Sequence, residues 1–172
     1  TRATASRTVI RSARISPGSS DMSDKEYPPG CEAFLRYLTA QPLGPYRVER
    51  VGDARGSVLV HFRLTVGTCV VPMAVIFDMT RYLTIRVNLA DWLGGCADVD
   101  CAAALLPVLA RWTYESRVVR YYLTPAMSPI ADLSLPDIGQ PLPPQRIHGL
   151  LALMAMELQS HAGEWETLFA GK

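Results

Sequence analysis

Apolar and polar positions alternate along residues 57–66. Val58, Val60, Phe62, Leu64 and Val66 fall on one side, with Leu59, His61, Arg63 and Thr65 on the other. A period of two is that of a strand with one face against a core. The same pattern returns over residues 82–89, where Leu83, Ile85, Val87 and Leu89 alternate with Tyr82, Thr84, Arg86 and Asn88. Between these, residues 68–77 are apolar on both faces apart from Pro72, so the strand there is covered on two sides or lies at a partner interface. Pro72 lacks an amide donor, which places it at an edge or a bulge. A shorter strand over 46–51, a turn at Asp53-Ala54-Arg55-Gly56 and another over 78–81 complete an antiparallel meander.

Helical spacing surrounds this meander. Cys31, Phe34, Leu35 and Leu38 share one face of a helix over 31–41, ended by Pro42 and Gly44. Gly94-Gly95 breaks the chain before a second helix over 98–116, where Asp98 or Asp100 serves as cap, Leu105, Leu106, Leu109 and Trp112 are apolar, and Pro107 kinks the helix or begins its second half. Strands follow over 117–124 and 130–135. A Pro-rich connection over 136–144 then leads to a last helix with a stripe of Ile147, Leu150, Leu151, Met154 and Leu158, widened by Leu153 and Met156. Gly163 is expected to interrupt this helix before Trp165, Leu168 and Phe169. The extra width predicts more than one contact surface. The fold class is therefore α+β: an antiparallel sheet, meander plus a second strand pair, flanked by helices in the order α-ββββ-α-ββ-α.

Composition narrows the setting. A chain of 172 residues makes a single domain with a full core, and no apolar run reaches the ~20 residues of a membrane helix. Residues 1–30, rich in Thr, Ser, Arg, Pro and Gly, read as a flexible basic leader, with Met22-Ser23-Asp24-Lys25 resembling a protein start; residues 31–172 form the domain. Arg2, Arg7, Arg11 and Arg14 carry the basic excess. Residues 22–172 hold 13 basic and 15 acidic residues, a formal −2, which excludes a basic nucleic-acid binder. Four cysteines without a signal-peptide core indicate a reduced, cytoplasmic protein.

In this order, the strands of residues 46–89, the string Leu105-Leu106-Pro107-Val108-Leu109-Ala110-Arg111-Trp112, then Val119-Arg120-Tyr121-Tyr122-Leu123, Ile130-Ala131-Asp132-Leu133-Ser134-Leu135, and Trp165-Glu166-Thr167-Leu168 near the end of the last helix resemble the YbjN family, whose domains share the type III secretion chaperone fold. Where that family commonly carries asparagines in the middle helix, this chain has Arg111-Trp112-Thr113-Tyr114-Glu115. The resemblance implies an antiparallel sheet flanked by helices, a homodimer, and a protein-binding or chaperone-like role with no catalytic residues.

Chemistry is sparse. Cys96 and Cys101 would give two zinc ligands where a structural site takes four, so they read as ordinary thiols. His148 and His161 reach a cysteine only through tertiary folding, and His61 belongs on the polar face of its strand. The carboxylate pairs Asp98/Asp100, Asp132/Asp137 and Glu164/Glu166 have simpler roles as caps or solvated faces, and no phosphate-loop or nucleophile-elbow motif is present. The expected function is a non-enzymatic adaptor or chaperone-like homodimer for a protein or peptide client, without cofactor, metal, membrane or specific nucleic acid. Val71, Met73, Val75, Trp112, Leu150, Met154 and Trp165 are its core or interface positions. The competing reading is a small-ligand or catalytic domain with a cleft between sheet and helices, dependent on His148 or Cys101.

Overall fold

A computed structural model describes residues 27–41, 45–51, 56–66, 69–78, 83–93, 99–136 and 140–169. The leader up to residue 26, most of the two meander turns, Gly94-Gly95, Cys96, Asp98 and Asp137 lie outside the described residues, as do the side chains of Cys69 and Asp100. The elements run α1 (Cys31–Ala40), β1 (Arg47–Val51), β2 (Ser57–Val66), β3 (Cys69–Phe77), β4 (Leu83–Asn88), α2 (Leu89–Leu93), α3 (Val99–Glu115), β5 (Arg120–Leu123), β6 (Pro129–Leu135) and α4 (Pro144–Phe169). This is the expected α-ββββ-α-ββ-α order with the one-turn helix α2 added.

All six strands join one antiparallel sheet, in the order β1-β2-β3-β4-β6-β5. The second strand pair extends the meander, because β6 pairs along β4 from Leu83↔Leu135 to Asn88↔Ile130 and leaves β5 at the edge. The registers Val60↔Val75, Val75↔Ile85 and Ile85↔Leu133 set apolar residues side by side across four strands. These four are buried together with Phe34 of α1, Trp112 of α3, and Ile147, Leu151, Met154 and Leu158 of α4. Phe34 meets both Phe62 and Phe77, and Trp112 meets Tyr121 edge-on, so α1 and α3 lie on this inner face of the sheet.

Two helices run through residues that disfavour a helix interior. The helix α3 continues through Pro107, whose ring is exposed, while Cys101, Leu105, Leu109 and Trp112 hold the opposite face in the core. Gly163 does not interrupt α4 either. One helix glycine costs about 1 kcal/mol relative to alanine, less than the packing of Leu158 and Trp165 on either side of it supplies.

Pro72 sits where the pattern asks. It pairs with Arg63 of β2, but β4 reaches β3 only from Ala74 onward, so this stretch of β3 has a neighbour on one side. The cause is Asn88, whose Oδ1 accepts the Ala90 amide at 3.0 Å, capping α2 and turning the chain out of the sheet.

Four residues that composition assigns to the leader, Tyr27–Gly30, are packed against the domain: Tyr27 lies under the Arg50 guanidinium and Pro28 is buried. Gly30 begins α1 at φ 82°, and a Cβ there would stand 3.1 Å from Cβ of Pro141. We expect Gly30→Ala to cost about 1–2 kcal/mol, from the left-handed backbone and this contact, read as a lowered urea midpoint with an unchanged slope.

Candidate functional site

The opposite face of the sheet carries the polar half of each alternating strand. One row crosses it as Arg47, His61, Ala74, Arg86, Asp132 and Arg120, from β1 to β5. At about 4.8 Å per strand, Arg47 and Arg120 are ~24 Å apart along this row. Arg63, Pro72 and Asn88 lie on one side of the row; Glu49, Leu59, Ile76, Thr84 and Ser134 lie on the other.

Asp132, 7% exposed, is the buried charge among the described residues. Its carboxylate accepts Nε and Nη2 of Arg86 at 2.8 Å each, a bidentate pair, and the Tyr122 hydroxyl at 2.5 Å. Nη2 of Arg86 also donates to the Tyr122 oxygen at 3.2 Å. The Asp132 hydrogen bond is the first cause holding Arg86 in its charged form, while burial, then Asp132, push the Tyr122 hydroxyl up and keep it a donor. The result is an arginine locked in direction, whose Nη1 takes no partner among the described residues.

Where β4 leaves the sheet, an open concavity of about 710 Å³ forms. Leu59, Pro72 and Ala74 contribute its floor; Arg47, Arg63, Arg86 and Asp91 stand around it with His61. Glu49 accepts from Arg47 at 3.2 Å and pairs with His61 Nε2 at 3.1 Å. Arg63 and Arg120 are exposed and make no ion pair within the described residues.

Of the seven positions singled out from sequence, Val71, Met73, Val75, Trp112, Met154 and Trp165 are buried in the core, and Leu150 packs half-buried against it. Met73 also borders the concavity; the other six do not. The groups of the competing reading do not converge. Cys31 is buried in α1, and burial pushes its thiol up to about 12, far from a thiolate at neutral pH. Cys101 is buried in α3. The ring of His148 on α4 meets the Tyr37 hydroxyl of α1 through Nδ1 at 2.7 Å, tying two helices together, and His61 lies on the polar face as its alternation indicates. No group of three His, Cys, Asp or Glu among the described residues is placed to hold a metal ion, and no helix among them is long and apolar enough to cross a membrane.

A second polar cluster closes the far end of α4. His161 stacks on Trp112 at 4.5 Å and meets Tyr121 edge-on, while the Trp112 indole donates to Glu164 at 2.8 Å and Arg111 pairs with the same carboxylate. The Tyr121 hydroxyl and Oε1 of Glu157 are both buried, and after burial it is Glu157 that raises the Tyr121 hydroxyl, so the two groups lie within each other's influence.

Sequence reasoning passed over Asp132 and Arg86 because they are 46 residues apart, and weighed Asp132 only against Asp137. The available signal was a charge of each sign on the polar face of two apolar-alternating strands.

Removing the cation should show what Asp132 needs: Arg86→Met leaves a carboxylate short of two donors and should cost about 1–3 kcal/mol, with Asp132→Asn in the same background recovering part of it in a denaturant double-mutant cycle. At the other cluster, burial holds His161 below its ordinary 6.5 despite Glu157, Glu115 and Glu164 pulling upward, with Arg111 acting with burial. The unfolded chain therefore binds the proton more readily, and stability falls as pH drops below about 6.5. Glu164, held down first by the Trp112 indole and then by Arg111, adds loss in the same direction below its ordinary 4.5. Urea midpoints from pH ~7.5 to ~5.5 should fall for the wild type and flatten for His161→Phe. No protein-family model, curated protein or solved structure matches this chain.

Proposed function

We propose that this chain is a non-enzymatic polypeptide-binding domain, adaptor- or chaperone-like, whose binding surface is the outer face of its sheet. One observation carries the reading: the concavity of about 710 Å³ has an apolar floor, a basic rim and an arginine fixed in direction, and is open along the sheet. Such a surface accommodates a chain lying across it. Chemistry would need a nucleophile beside a base; around this concavity the one histidine is occupied by Glu49, the Tyr46 hydroxyl meets Thr39 and Asn88 caps α2, while the remaining polar side chains described are arginines, Asp91 and Thr65.

The resemblance to the YbjN family points the same way, since it implies a protein-binding homodimer. Cytoplasmic placement, argued from cysteine usage, belongs to the same proposal.

We infer that the second copy packs on α4. The residues Gly149, Leu153, Met156, Ser160 and Gly163 are all exposed, with Leu153 at 44% and Met156 at 61%. Their 4-3-4-3 spacing is that of a helix–helix seam. Among the described residues, nothing beyond its own turn of α4 lies within 4 Å of where a Cβ would stand at Gly149 or Gly163, so packing there does not require either glycine. The two glycines sit seven residues on either side of Met156, about 21 Å apart. An antiparallel copy of the same helix, centred on Met156, would bring Gly149 of each copy opposite Gly163 of the other, where a missing side chain permits close approach.

Two measurements test these proposals. Titration of fluorescein-labelled extended peptides, acidic, neutral and basic, should show micromolar binding of at least one, lost in Thr65→Trp, which fills the concavity from an exposed position and should leave the melting temperature unchanged. Binding by none, or binding indifferent to Thr65→Trp, rejects the sheet-face reading. For the seam, Gly149→Ala and Gly163→Ala should each raise monomer stability by up to ~1 kcal/mol while weakening self-association in sedimentation. A gain in stability with no loss of association would exclude α4 as the interface.

A further inference from the structure

We propose that the segment docking on the outer sheet face is acidic and extended, carrying carboxylates interleaved with apolar side chains. This deepens the polypeptide-binding reading and rests on it. The observation behind it is local charge. Arg47, Arg63, Arg86 and Arg120 stand on this face against Glu49, Asp91 and Asp132, a sum of +1, whereas residues 22–172 as a whole sum to −2. The face is a basic area on an acidic domain, and such complementarity selects and steers an anionic partner.

Three of the cations have donors to give. Arg63 and Arg120 are exposed without ion pairs among the described residues, and Arg86 offers Nη1 while Asp132 and Tyr122 fix its plane. An arginine fixed in this way loses little side-chain entropy when it grips a carboxylate. From Arg86 to Arg120 is two strand spacings, and from Arg47 to Arg86 three. A segment crossing the strands at ~3.4 Å per residue therefore covers the row with about seven residues, its carboxylates three or four positions apart. Leu59, Pro72 and Ala74 provide apolar ground for the residues between.

A nucleic acid fits less well. Its backbone presents a charge at every step, and Asp91 and Glu49 interrupt the face; of the two phenyl-type rings around the concavity, Phe62 is buried in the core and Tyr46 is left, too little for a base-stacking platform.

The experiment uses the full chain and a nine-residue fluorescein-labelled peptide with glutamate at its first, fifth and eighth positions and valine or serine between, compared with the same peptide carrying glutamine or lysine for glutamate. We expect the acidic peptide to bind about tenfold or more tighter than the glutamine peptide, the size of one charge-assisted contact, and to weaken with salt. Arg63→Glu should remove that preference with an unchanged melting curve, because Arg63 is exposed and makes no ion pair among the described residues; Arg120→Gln, at the other exposed cation, should weaken it with the melting curve likewise unchanged. Equal affinity for the glutamine and glutamate peptides overturns this inference and leaves polypeptide binding intact. Binding of no peptide overturns both. Displacement of the acidic peptide by citrate or single-stranded RNA at concentrations equal to its own also overturns it, in favour of a small carboxylate or a nucleic acid.

Discussion

Everything in this molecule depends on placing the core on one face of one sheet. Val58, Val60 and Phe62 on β2, Val71 and Val75 on β3, Ile85 and Val87 on β4, and Leu133 on β6 all point to the same side, where α1, α3 and α4 cover them. Burial of that many branched and aromatic side chains is the dominant favourable term. It also has a geometric corollary. Because the strand period is two, every inward residue fixes an outward neighbour, and a sheet covered on one side must give the other side to water. Arg47 and Glu49 of β1, His61 and Arg63 of β2, Arg86 of β4, Arg120 of β5 and Asp132 of β6 fill those outward positions for that reason. The proposed binding surface follows from the surface that folds.

That relation explains what was legible in the sequence. Strands with clean alternation, 57–66 above all, declared both their extent and their faces, and helices with a four-position stripe, such as Cys31, Phe34, Leu35 and Leu38, declared theirs. The element order followed. The site did not, because its members meet only through pairing: Arg86 finds Asp132 across β4 and β6, and Asp132 finds Tyr122 across β6 and β5. Helix α2 was missed for a related reason. Its five residues are too few for a periodic signal, and its cause is one side chain, Asn88, in a position that reads equally well as the end of a strand. Apolar residues with no partner elsewhere in the chain are not distinguishable from core by pattern, so Trp112, Met154 and Trp165 looked like interface candidates until they were placed in three dimensions.

The two polar clusters illustrate opposite uses of a buried charge. Around Trp112, the polar groups serve packing: His161 is held against an indole by stacking, and Glu164 satisfies the indole donor. Their titration opposes folding in acid and gives nothing outward. Around Asp132 the desolvation cost is offset by two guanidinium donors and a phenol, and the arrangement leaves one edge of Arg86 toward solvent. A hydrophobic pair in place of a buried ion pair is often neutral or better for stability, so the net worth of this pair to folding is small beside that of the core.

The layer architecture also makes the two proposed surfaces independent. The seam of Gly149, Leu153, Met156, Ser160 and Gly163 lies on the side of α4 turned away from its buried stripe of Ile147, Leu151, Met154 and Leu158, and that stripe packs on the inner face of the sheet. The outer sheet face is thus separated from the seam by the full thickness of helix, core and sheet. Pairing through α4 would set two domains back to back with their concavities directed outward. Neither site would occlude the other, and one dimer would offer two docking faces to two segments, or to two stretches of one long chain. For contacts as open as these, where each carboxylate–arginine pair stays partly solvated, the second attachment raises the effective concentration at the free site and supplies affinity that a single face lacks.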